Sequence, residues 1–155
     1  MNESLPLRQL IPPVTAQTPD GRTIRAWDYK QKNNLVIAFL HADCKSCGDW
    51  LAQMAQRAAD LSEHESVGLI VYAEPQPRSP ETLAAPFVAA TDAVGSSQRA
   101  FLGRDAFGPA GLDRVGVFVT DRYGELYGQW VAKDSSELPP PAEILSTLWQ
   151  IQIAC

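Results

Sequence analysis

The chain has 155 residues, 45% of them hydrophobic and 20% charged, with a formal net charge of −5. That length is one ordinary domain, 1–155, able to bury a full core without staples. The negative balance and the lack of any Lys/Arg cluster argue against a nucleic-acid partner, and no window approaches membrane-spanning length. The start, Met1 to Arg8, has no basic region followed by a long apolar run, so a soluble, cytoplasmic chain with no membrane partner is expected.

Pro12 to Ala16, a turn at Pro19-Asp20-Gly21 and the alternating Thr23 to Trp27 predict a short edge hairpin, followed by a polar connector from Tyr29 to Asn34. Leu35 to Leu40 is apolar without alternation, the pattern of a central strand covered on both faces. Trp50, Leu51, Met54, Ala55, Ala58 and Leu61 recur at helical spacing and predict one helix from Gly48 to Glu63. Val67 to Tyr72 is a second buried-type strand, so strand, helix and strand form a right-handed parallel crossover. Glu74 to Pro80 reads as a surface loop, with Ser79 as N-cap and Pro80 opening a short turn. Next come a short strand at Pro86 to Ala90, a helix near Ser96 to Leu102 and a glycine-rich loop, Gly103 to Asp113. Val115 to Thr120 and Leu126 to Val131 flank Asp121-Arg122-Tyr123-Gly124 as a hairpin, and Pro139-Pro140-Pro141 opens a last helix carrying Ile144, Leu145, Leu148, Trp149, Ile151 and Ile153.

Cys44-Lys45-Ser46-Cys47 stands where the first buried strand hands over to a helix. Unpaired backbone N–H groups and the helix dipole stabilise a thiolate at that position, and a cysteine one turn further in can close a disulfide with it. Dithiol exchange is therefore the favoured chemistry, with Cys44 as nucleophile and Cys47 as resolving thiol. Half a zinc site and two buried small apolar residues are the alternatives. Zinc needs four ligands, and only Cys155, His41 and His64 remain to supply them; no metal and no cofactor are expected.

In order, these elements resemble the thioredoxin fold. Phe39-Leu40-His41-Ala42-Asp43-Cys44-Lys45-Ser46-Cys47 has the spacing of the thioredoxin active-site segment, with a strand Phe five positions before the first cysteine. The Pro-Asp-Gly hairpin, and Phe118-Val119-Thr120-Asp121 followed by Gly124, resemble the branch holding alkyl hydroperoxide reductase/thiol-specific antioxidant proteins and related thiol–disulfide oxidoreductases, over roughly Pro12 to Ile153. The resemblance implies an α/β fold: a three-layer thioredoxin-like sandwich, a mixed central sheet with helices on both faces and an extra N-terminal hairpin. It also implies an oxidoreductase acting on a protein or small-molecule disulfide, or on a peroxide.

Several positions depart from the family pattern. Asp43 replaces the aromatic residue before the first cysteine, and a carboxylate about 6 Å from the sulfur costs the thiolate on the order of 0.7 kcal/mol in water or roughly 3 at an effective dielectric of 20. Lys45 and the helix dipole oppose it. Val115 stands where the family usually has a cis-proline that holds an extended substrate, which weakens the case for protein disulfides. Peroxidases of the branch carry a Thr or Ser three residues before the reactive cysteine; here that residue is His41, and Ala38 takes the place of the buried acid of thioredoxins. His41 is read as a partly exposed turn residue, with proton shuttling or metal ligation as the rival roles, and Asp43 as a helix cap or a proton acceptor for Cys47. Cys155 is read as a frayed terminal thiol, with an intermolecular bridge or a remote resolving role as rivals. Trp149, Ile151 and Ile153 make the last helix apolar on more than one face, so core packing and a homodimer seam are its two readings. A redox-sensing or metal-carrying module without turnover is the non-enzyme alternative.

Overall fold

The computed structural model describes residues 5–41, 45–73, 84–92, 94–103, 114–132 and 137–154. Its centre is the strand Asn34–Leu40, in which every residue is buried. Among the described residues, β1 (Thr15–Gln17), β2 (Thr23–Arg25), β3 (Asn34–Leu40), β4 (Ser66–Tyr72), β5 (Phe87–Thr91), β6 (Val115–Thr120) and β7 (Leu126–Ala132) form one sheet in the order β2-β1-β5-β4-β3-β6-β7. β3 pairs in parallel with β4 and antiparallel with β6. Ladder bonds on both edges and cover on both faces leave no side for polar residues, which is why the run shows no alternation.

The period of two divides the strand between two cores. Val36, Ala38 and Leu40 pack with Cys47, Trp50, Met54, Leu61, Ile144 and Leu148 on the face covered by α1 (Lys45–Ala55), α2 (Ala58–Glu63) and α4 (Pro141–Ala154). Leu35, Ile37 and Phe39 pack on the other face with Phe101 and Leu102 of α3 (Ser96–Leu102). There Phe39, Phe101 and Phe118 form a tilted and edge-to-face trio, with ring centroids 5.0, 5.8 and 4.9 Å apart. Helices on both faces of a mixed sheet, with the β1–β2 hairpin added at one edge, make the thioredoxin-like sandwich that the resemblance implies.

Local chemistry sets the connections. Asp121 Oδ1 accepts the N–H groups of Tyr123 and Glu125 at 2.9 and 3.0 Å, and Gly124 takes φ +83°, which fixes the β6–β7 turn. The Asp92 carboxylate accepts the N–H groups of Gly95 and Ser97 ahead of α3. A strap at residues 8–11 exchanges backbone bonds with Gly124 and Leu126, and the Arg8 guanidinium lies 3.9 Å from the centre of the Tyr127 ring. The strap gives the β7 edge part of a partner.

Two expectations change and one is not reached. The helix expected from Gly48 to Glu63 begins at Lys45 and is two helices, because Arg57 N–H turns back to Met54 O at 2.9 Å and the chain restarts from Arg57 at φ −107°. Neither glycine nor proline marks this break, and Met54 and Leu61 enter the same core on either side of it. Trp27 leaves the edge strand for a 3-10 turn, Ala26–Tyr29, whose start is held by Asp28 Oδ2 accepting the Arg25 N–H at 2.9 Å. The loop and turn placed at Glu74 to Pro80, and nearly all of that at Gly103 to Asp113, lie outside the described residues.

Phe118 has no solvent exposure and touches both other rings of the trio. Phe118→Ala should therefore cost about 3–5 kcal/mol. Urea unfolding followed by far-UV circular dichroism measures it, and a loss below about 1 kcal/mol would show that the trio is not a keystone of this core.

Candidate active site

β3 and β4 run in parallel and finish at the same end of the sheet, where Leu40 pairs with Tyr72. Antiparallel β6 starts at that end with Val115. α1 also starts there, at Lys45, the residue after Cys44. This end therefore gathers His41, the first turn of α1, Tyr72 and Val115.

Cys47 is the third residue of α1, 2% exposed, and disulfide-bonded. Two other cysteines exist in the chain, Cys44 and Cys155; both lie outside the described residues, as does Asp43. Lys45 contributes the first helical residue of α1. One turn beyond Cys47, Trp50 Nε1 donates to Pro139 O at 2.7 Å in a buried contact. A buried indole needs a partner for its N–H, and here the partner lies just ahead of α4, so the first turns of α1 are tied to the closing helix. Helical spacing assigns Trp50 to the core but is silent on this tether.

His41 directly follows β3 and is half-buried, and its Nε2 is withdrawn from solvent with no hydrogen-bond partner among the described residues. Val115 is 1% exposed and shares a core cluster with Cys47, Leu40 and Trp50. The described residues contain one cis peptide, Ala85-Pro86, ahead of β5, and none at Val115. Ala38 is fully buried between Ile70 and Val117, with no charged neighbour in the pairing. Among the described residues there is no group of three or more His, Cys, Asp or Glu placed to hold a metal, and no helix long and apolar enough to cross a membrane.

Tyr72 is a neighbour that residue patterning missed, since in sequence it reads as the last residue of an apolar strand. Burial pushes its phenol above the ordinary value of 10.0. The group remains neutral at physiological pH.

No protein-family model matches the chain, and no curated protein matches it in sequence. Solved structures do match in fold. The 2-Cys peroxiredoxin of Plasmodium vivax superposes with TM-score 0.75 at 12% identity, covering 96% of this chain and 97% of that one. Peroxidoxin BcpB of Mycobacterium tuberculosis gives 0.73 at 15% identity, covering 94% and 97%. The thioredoxin domain of a thiol-disulfide oxidoreductase from Bacteroides vulgatus gives 0.67 at 12% identity, covering 96% and 99%. The fold is thioredoxin-like over nearly the whole chain, the architecture of peroxiredoxins and of thiol–disulfide oxidoreductases alike.

A phenol whose pKa is higher in the folded than in the unfolded chain confers stability that is complete below the unfolded value, near 10, and is lost as pH rises through the folded one. Thermal melts should therefore fall more steeply above about pH 10 in the wild type than in Tyr72→Phe. Identical slopes would mean that the phenol is not desolvated by the fold.

Proposed function

We propose that the chain is a thiol–disulfide oxidoreductase in which Cys44 and Cys47 are the exchanging pair. The observation that carries this reading is the disulfide-bonded, 2% exposed Cys47 in the first turn of α1, three residues after a cysteine that immediately precedes the helix. A buried sulfur cannot meet a bulky substrate, which leaves the attack to Cys44 and the resolution to Cys47. The Cys44 thiolate attacks one sulfur of a substrate disulfide; the substrate S–S bond breaks, one thiolate leaves and takes a proton, and a mixed disulfide forms. The Cys47 thiolate then attacks the Cys44 sulfur, closing the internal disulfide and releasing the second substrate thiol. Two electrons pass from the dithiol to the substrate. A cytoplasmic setting, where low-molecular-weight thiols could return the pair to the dithiol, belongs to the same proposal.

A peroxidase reading is favoured by one observation, the buried Val115 where a disulfide-handling relative would hold an extended substrate. In that chemistry the Cys44 thiolate takes the terminal oxygen of a hydroperoxide, an alcohol or water leaves, and Cys47 condenses with the sulfenic acid to release water. Without turnover on either substrate, the chain would be a redox-sensing or metal-carrying module. For assembly, Trp149 and Ile153 stand 55% and 65% exposed one helical turn apart on α4, and a homodimer through this helix would cover them.

Insulin reduction and hydroperoxide consumption measured side by side separate these readings. The wild type should reduce insulin disulfides and Cys44→Ser should lose essentially all of that activity; consumption of peroxide alone would transfer the assignment to the peroxidase. Mass spectrometry after mild oxidation should join Cys44 to Cys47, and a dominant Cys155 linkage would overturn the pair. Asp43→Asn should lower the pKa of the reactive thiol, because removing a negative neighbour favours the thiolate. Absorbance of the thiolate against pH reads it, and an unchanged or higher value would show that Asp43 points away or is itself paired.

A further inference from the structure

We propose that the chain has a second binding site, for small carboxylates with an aromatic body, in the cleft between the 3-10 turn Ala26–Tyr29 and the β6–β7 turn. The cleft measures about 270 Å³ and lies at the end of the sheet away from Cys47. Leu35, at the start of β3, and Asp121, just past the end of β6, line it. Leu40 and Val115 mark the opposite ends of those two strands, so the cleft and the cysteine end are separated by a strand length of about 20 Å.

Its walls suit an apolar body. Ile11, Pro12, Val14 and Leu35 form an aliphatic lining. Leu10, Trp27 and Tyr123 border it at 69%, 69% and 50% exposure, three of the eight exposed large hydrophobic residues among those described. Such residues scattered singly need no explanation, but three around one concavity do. The walls are also held in place. The strap carrying Ile11 is bonded to Gly124 O at 3.0 Å, Lys30 N–H closes the 3-10 turn on Trp27 O at 3.1 Å, and Gln31 N–H reaches Arg122 O at 2.6 Å.

The charge at the mouth has the opposite sign to the chain. Arg25, Lys30 and Arg122 all line the cleft, in a protein whose net charge is −5. The Lys30 ammonium lies 3.9 Å from the centre of the Trp27 ring, at the entrance. Arg122 spends one donor on Glu65 at 3.3 Å and keeps others in its fork. The one acid in the lining, Asp121, is 6% exposed and already accepts two backbone N–H groups through Oδ1. Asp28, beside the mouth, has Oδ2 committed to the Arg25 amide. Cations at the rim over an apolar floor with flat aromatic edges complement a carboxylate on an aromatic body. They do not complement a cation, and a bare inorganic anion would leave the floor unfilled.

The test uses 4-phenylbutanoate and its neutral counterpart 4-phenylbutanamide on the intact chain, by calorimetry and amide chemical shifts. The acid should bind with a Kd on the order of 1 mM or tighter, the amide about tenfold more weakly, and raising salt should weaken only the acid. Shifts should cluster at residues 10–14, 25–33 and 121–124. Lys30→Glu and Trp27→Ala, both changes at the open mouth, should each weaken the acid by about tenfold or more. Equal binding of acid and amide, no binding at about 10 mM, or shifts centred on residues 40–47 would overturn the site. Because both probes are compared on the wild type, poor folding of a variant does not remove the test.

Discussion

Complete burial of β3 is the constraint on which the other features depend. A seven-residue strand with no exposed position must find hydrogen-bond partners on both edges and apolar cover on both faces, since an unpaired buried peptide group would cost as much as the contacts return. Parallel β4 and antiparallel β6 meet the first need, and the helices meet the second. The strand direction then becomes the polarity of the whole molecule. The chain leaving β3 emerges at one end of the sheet, where α1 takes over, and the chain leading into β3 builds the other end. Position relative to the cysteines is thus set by strand order, before any side chain of the site is considered.

The parts of the fold legible in sequence are those whose signal is local. The unbroken run Leu35 to Leu40, the Asp-x-x-Gly turn between β6 and β7, and the limits of α3 all depend on neighbours a few residues apart. The features that stayed hidden leave no such pattern in the sequence. Apolar spacing carries across the Arg57 break because Met54 and Leu61 serve the same core whether or not one helix joins them. The strap at residues 8–11 pairs with β7 more than a hundred positions later, and its sequence has no strand pattern. Trp27 alternates with its neighbours as a strand residue would, but the Asp28 side chain captures the Arg25 amide and turns the chain into a 3-10 conformation instead.

The candidate site divides in the same way. A Cys-x-x-Cys after a buried strand is an expectation that needs only local helix geometry, without any knowledge of the rest of the molecule. Its environment is not. The Trp50 tether to Pro139 joins residues 89 positions apart, and Tyr72 reaches the cysteine end only because β3 and β4 pair with Leu40 opposite it. Cys47, disulfide-bonded, is enclosed with Leu40, Trp50 and Val115, an environment that suits a sulfur meeting only its partner.

Electrostatics keeps the two ends of the sheet independent of each other. Interactions between exposed charges are largely screened beyond about 8–10 Å at physiological ionic strength, well short of the strand length that separates the cleft from Cys47. Arg25, Lys30 and Arg122 therefore shape the field at their own end and contribute little at Cys47. The converse also holds, so a carboxylate bound in the cleft would have no direct charge effect at Cys47. Any influence between the ends would have to pass mechanically along β3 and β6, and these are the most completely buried strands in the sheet, with the least room to move.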